Sequence, residues 1–229
     1  MLRTEERTDE IKPPNNWNDV KNLTVNRFKE IFQRHPDCFF TEHDIHSVLY
    51  NIAKEELQLN EVWSAETRDE RRVILVHHEY PTPFRCYMEG HNFELRDYKP
   101  YKRGHYDLVI LNPKFVKNYK LDVVCGKGYQ KFRSAMQKVE VEPLIWACEV
   151  IFFPGVKKLP KNALKIIEQD GLKLKETLRY RVGQNSHFCR TGSVLVFTSH
   201  TAEEASDLEK QVTRLRNKHK LDVTICARL

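Results

Sequence analysis

Apolar positions along the chain switch between two spacings. Ile45, Val48, Leu49 and Ile52 recur at helical intervals and form one stripe. Thr41-Glu42-His43-Asp44 stands before them as a hydroxyl cap with an acid at the third helical position, which predicts a helix from there to about Leu57. A shorter helix is predicted over Leu23–Gln33, stopped near Pro36. Val73–Tyr80 reads as a strand ended by Pro81, and Phe84–Leu95 as a second strand paired with it in a hairpin. His105–Leu111 (HYDLVIL) is a short apolar run holding one acid, and residues 114–138 read as loop with some helix. Pro143–Phe153 (PLIWACEVIFF) is the most apolar run; its shortness and its aromatic and β-branched content favour a buried strand. Pro160 opens a helix carrying Leu164, Ile167, Leu174 and Leu178 on one side, with Gly171 a point of bending. A strand at Ser193–Ser199, a polar-faced helix at Thr201–His219 and a strand at Leu221–Arg228 complete the chain. Residues 1–20 are expected to be a flexible N-terminal arm, and residues 21–229 a single domain. This order predicts an α/β sandwich with a mixed central sheet flanked by helices.

Two acids interrupt that pattern. Asp107 sits in Tyr106-Asp107-Leu108-Val109-Ile110, and Glu149 in Trp146-Ala147-Cys148-Glu149-Val150-Ile151. A lone buried carboxylate costs several kcal/mol unless it is paired, protonated or metal-bound. Either acid alone is accounted for by a strand end that reaches water or by a partner Lys or Arg; two on neighbouring strands suggest a shared site. Glu56 follows Ile52 by four residues and falls in the apolar stripe of its helix, with Glu55 on the edge. It is either an outer ligand of a site on the sheet or a solvated residue of the last turn. Three converging carboxylates suit a hard cation, Mg²⁺ or Mn²⁺.

Charge gives that site a context. The chain has 229 residues, 40% of them apolar and 31% charged, and a net charge of +6. No run approaches the roughly 20 apolar residues of a membrane span, and the opening MLRTEERTDEIKPPNN lacks the apolar core of a secretory signal. The six cysteines form no CxxC pair, which disfavours a zinc site or disulfide framework and leaves thiols in a reducing, cytoplasmic setting. His43, His46, His77 and His78 lack further zinc-spaced partners and read as structural. Residues 98–138 carry a local balance of +8 and residues 157–181 of +5, whereas residues 1–60 carry −3. Lys102, Arg103, Lys127, Lys131, Arg133, Lys157 and Lys158 are therefore candidate contacts to a nucleic-acid backbone. Tyr and Phe residues interleaved with them suit stacking on unpaired bases, or simply fill the core.

The helix with Glu56, then Asp107 in GHYDLVIL, then Glu149 in PLIWACEVIFF, resembles the PD-(D/E)xK nuclease superfamily, the restriction-endonuclease-like fold. The resemblance spans roughly residues 41–199 and implies an α/β/α sandwich whose core runs helix, three strands, helix, strand. It implies that Asp107 and Glu149 are catalytic metal ligands, Glu56 a third metal ligand, and Glu79 an accessory group. It further implies a Mg²⁺- or Mn²⁺-dependent endonuclease acting on nucleic acid, DNA ahead of RNA, for which a symmetric homodimer would suit double-strand cutting. One departure stands out. The family's lysine position is occupied by Ile151, which can neither orient a water nor stabilise charge. The following helix is expected to supply the lysine, with Lys161 and Lys165 as candidate catalytic residues beside Lys157 and Lys158. The alternative is a catalytically degenerate nucleic-acid-binding module of the same fold. A protein-interaction domain whose acids are merely paired is a third reading.

Overall fold

The computed structural model describes residues 17–89, 92–95, 102–155, 159–219 and 222–228. Helix α1 (Trp17–Arg34) leads through a 3-10 turn (Pro36–Cys38) to α2 (Glu42–Leu59). The Thr41 hydroxyl accepts from the Asp44 amide while the Asp44 carboxylate takes the Thr41 amide, so the expected cap is a complete capping box. Short strands β1 (Ser64–Glu66) and β2 (Arg72–Ile74) pair with each other. The main sheet then begins with β3 (Val76–Glu89), β4 (Asn92–Leu95) and β5 (Lys102–Leu111). Three short helices follow, α3 (Pro113–Asn118), α4 (Leu121–Val124) and α5 (Tyr129–Met136). Next come β6 (Leu144–Phe153), α6 (Ala163–Arg179) and a small hairpin of β7 (Arg181–Val182) and β8 (Ser186–His187). The chain closes with β9 (Cys189–Thr201), α7 (Ala202–His219) and β10 (Val223–Arg228).

Six strands form one mixed sheet in the order β10-β9-β6-β5-β3-β4. β3, β5 and β6 are antiparallel neighbours; β9 and β10 run parallel to β6. Side-chain alternation divides the helices between the two faces. Phe152 of β6 and Phe197 of β9 meet Phe32 of α1 edge-on or tilted, at centroid distances of 6.3 and 5.2 Å. On the other face Gly192 of β9 lies against Leu174 of α6. All ten residues of β6 are buried, as its apolar text predicts.

Three expectations need correction. Residues 1–16 of the expected arm lie outside the described residues, but Trp17–Val20 are the first turn of α1, and Val20 is buried against the core. Pro81 does not end a strand, and Phe84–Glu89, expected to pair with Val73–Tyr80 in a hairpin, continue the same strand, with Cys86–Glu89 paired instead to β4. β3 runs through Pro81 and Pro83 because the register shifts between Pro81 and Arg85, where a residue without an N–H breaks no ladder bond. Among the described residues, no helix is long and apolar enough to cross a membrane.

Candidate functional site

The site is built where two strands part. β5 and β6 pair from Leu111↔Leu144 to Leu108↔Cys148, and the ladder stops there. Beyond that point β5 continues only against β3, and β6 only against β9. Asp107 and Glu149 are the first residues past the last pair. The Asp107 carboxylate accepts the Val150 amide at 2.6 Å, which supplies a partner to an N–H that the ladder no longer serves. Tyr106 points its hydroxyl to Thr177 on α6, while Asp107 Oδ2 stands 3.9 Å from His46 Nε2 of α2. Glu149 faces α6.

A lysine fills the fork. Lys173 of α6 puts its Nζ 2.6 Å from Glu149 Oε2 and 3.7 Å from Asp170 Oδ1, and donates to the His105 carbonyl at 2.9 Å. Glu149 and Lys173 side chains are 1% and 7% exposed. Burial opposes the Lys173 charge, but Glu149 and Asp170 outweigh it and hold the ammonium above its ordinary range. The two carboxylates thus favour the charged form of Lys173.

One ammonium serves three carboxyls, Glu149, Asp170 and Asp107, and Glu42 lies beyond them. Burial, with Lys173 opposing and Asp107 and Asp170 adding, pushes Glu149 well up. Burial also raises Asp107, against the Val150 amide and Lys173. Asp170 is pushed to about 6 by burial, with Lys173 opposing and the Asp107 charge adding. Glu42, at the start of α2, is raised by burial and by Asp107, and the Phe152 amide draws it back. Glu149 Oε1 is buried with no hydrogen-bond partner. This corner is short of positive charge and has a carboxylate oxygen unsatisfied.

The α2 side of the fork carries nitrogen. His46 is buried, and its Nε2 has no hydrogen-bond partner. That atom stands 3.9 Å from Glu42 Oε1 and 3.9 Å from Asp107 Oδ2. Burial, then the neighbouring His78 and His43, lower its pKa to about 4, so the ring is neutral at pH 7. His78 stacks on Tyr50 at 4.6 Å and turns Nδ1 to the Asp107 carbonyl at 3.2 Å. Glu79 lies between the His78↔Leu108 and Tyr80↔Tyr106 pairs, exposed, with φ +50°, a left-handed conformation that bulky residues rarely adopt.

Of the residues expected here, Asp107 and Glu149 stand next to each other where β5 and β6 part, each just past the last ladder pair. Glu56 does not join them: it is buried in the last third of α2, and Arg27 of α1 binds its Oε1 at 3.2 Å while binding Glu55 at 2.7 Å. The acid of that helix near Asp107 is Glu42, nearly four turns earlier. Lys161 precedes α6 and Lys165 is in its first turn; both are exposed, and the lysine in the fork is Lys173. Lys127 and Lys131 are exposed near the start of α5, with Lys131 paired to Asp122 at 2.8 Å, and Arg133 is partly buried on α5. Lys102 and Arg103 belong to β5 by backbone; their side chains, and Lys157 and Lys158, lie outside the described residues.

Sequence reading missed Lys173, Asp170, Glu42 and His46. Asp170 and Lys173 flank the Ile167–Leu174 stripe of α6 at i,i+3 spacing, an opposite-charge pair on a core-facing side, and that was the available signal. His46 lies next to Ile45 on the inner face of α2.

No family model, no curated protein and no solved structure matches this chain. Among the described residues, no three His, Cys, Asp or Glu side chains stand as a preformed metal cluster. The donor chemistry nevertheless fits a divalent cation: carboxylates in excess of positive charge, raised by one another, with the Glu149 Oε1 orphan among them.

Proposed function

We propose that the chain is a metal-dependent nuclease of the restriction-endonuclease-like fold, hydrolysing phosphodiester bonds in nucleic acid, DNA ahead of RNA. The observation that carries this reading is Lys173. An ammonium on the helix after β6, 2.6 Å from Glu149, stands in for the lysine that Ile151 displaces. With β1, β2, β4 and the short helices α3, α4 and α5 read as additions, the order α2, β3, β5, β6, α6, β9 supports this reading.

Asp107 and Glu149, with Glu42 at the rim, would hold Mg²⁺ or Mn²⁺. Such an ion lowers the pKa of a bound water and stabilises charge on a phosphate. The chain's own part is positioning and electrostatics. Lys173 is held by the His105 carbonyl and Glu149, so its charge is aimed before substrate arrives and needs no reorganisation as negative charge develops. The Val150 amide fixes the Asp107 carboxylate in the fork. His78 and Glu79, both exposed, line the solvent side through which a phosphate must enter.

A second reading has its own observation. With no preformed three-donor cluster among the described residues, a catalytically degenerate nucleic-acid-binding module keeps Lys173–Glu149 as a structural ion pair. Linear, circular and single-stranded substrates incubated with Mg²⁺ or Mn²⁺ separate the two. Cleavage by the wild type that Asp107→Ala abolishes supports the nuclease; salt-sensitive binding with no cleavage supports the module.

A further inference from the structure

His46 is the polar side chain of the fork that neither reading uses. An imidazole nitrogen that is buried and unpaired is uncommon, because its desolvation goes uncompensated. Here the nitrogen has a direction. Nε2 lies 3.9 Å from Oε1 of Glu42 and 3.9 Å from Oδ2 of Asp107, the oxygen that also accepts the Val150 amide and keeps a second lone pair for a cation. These separations exceed a hydrogen bond. They fall within the span of two donors on one ion, since bonds of about 2.0–2.2 Å put such donors at most about 4.4 Å apart. The imidazole and Asp107 are the more buried members, and Glu42 is exposed, so closing the set asks for movement of the Glu42 side chain.

We propose that His46 is a nitrogen ligand of the ion held by Asp107, and that the site therefore takes a first-row transition ion, Mn²⁺, ahead of Mg²⁺. This rests on the metal-dependent reading above and deepens it. Carboxylates alone serve Mg²⁺ well, but an imidazole favours transition ions, whose affinity for nitrogen Mg²⁺ lacks. The arrangement also explains why the orphaned nitrogen persists: the ion satisfies it.

Two measurements on the intact chain decide. The first is pulsed EPR of bound Mn²⁺ in the wild type, which needs no variant; the prediction is a ¹⁴N coupling from a directly bound imidazole, lost in His46→Asn. The second is isothermal titration with Mn²⁺ and with Mg²⁺. His46→Asn is expected to weaken Mn²⁺ binding about tenfold or more while changing Mg²⁺ binding by less than about threefold. Asp107→Asn is expected to weaken both. Bound Mn²⁺ without ¹⁴N coupling, or His46→Asn leaving the Mn²⁺-to-Mg²⁺ preference unchanged, overturns the nitrogen ligand while the metal-dependent reading stands. No binding of either ion by the wild type overturns both.

Discussion

At the scale of single residues, the fork depends on Lys173 carrying charge where the apolar strand provides none. Lys173→Met leaves Glu149 buried beside Asp107 and Asp170 without its cation. Removing one partner of such a pair is expected to destabilise the fold by on the order of 3 kcal/mol, measured by urea unfolding. Adding Glu149→Gln to Lys173→Met should recover part of that loss; a double variant worse than the sum of the singles would contradict the pairing. Asp170 gives the same electrostatics a pH signature. Burial, with the Asp107 charge adding to it, pushes its carboxyl up to about 6 from an ordinary 3.8. Its stabilising contribution is therefore complete below about pH 4 and is lost as pH rises through 6. In chelator, Asp170→Asn should gain on the wild type between pH 4 and pH 7 by on the order of 1–3 kcal/mol. A gap that stays flat with pH would count against a crowded carboxyl cluster.

At the scale of elements, the parting of β5 from β6 makes the site, and helices from opposite faces supply it. Asp107 and Glu149 were legible because each breaks an apolar run, and an acid there must be used or compensated. Lys173 was not, because the family pattern places the lysine two residues after the acid, while the fold brings one from 24 residues downstream on the next helix. The choice of Glu56 failed for a related reason. Its place in the stripe of α2 did predict burial, but a stripe says nothing about which layer lies opposite, and the partner is Arg27 of α1. Pro81 misled because a proline ends a strand only where its missing N–H is needed, and the register shift removes that need. The contrast can be tested directly. Glu56→Gln should leave cleavage within about twofold of the wild type, as expected for a change away from the reacting atoms. Glu149→Gln should reduce it by about 10²-fold or more. Equal losses would return Glu56 to the site.

At the scale of the molecule, the net charge of +6 conceals a division between basic stretches and the acidic fork. Lys127 and Lys131 are exposed at the turn into α5, where they suit sequence-independent contact with phosphates. Lys127→Ala with Lys131→Ala should weaken nucleic-acid binding uniformly across sequences and lower the slope of log affinity against log salt by about 1–2. An unchanged slope would place the nucleic-acid track elsewhere.

The central claim is that Lys173, reaching the fork from the opposite helix layer, completes a metal-dependent phosphodiesterase site. Single-turnover cleavage of labelled DNA in saturating Mn²⁺ tests it most directly, comparing the wild type with Lys173→Met, Lys161→Met and Lys165→Met. The prediction is a rate lower by about 10²–10³-fold for Lys173→Met alone, the size of loss seen when a preorganised charge-stabilising donor is removed, with the other two close to wild type. A folded Lys173→Met that cleaves at the wild-type rate, or a wild type that does not cleave at all, would contradict it.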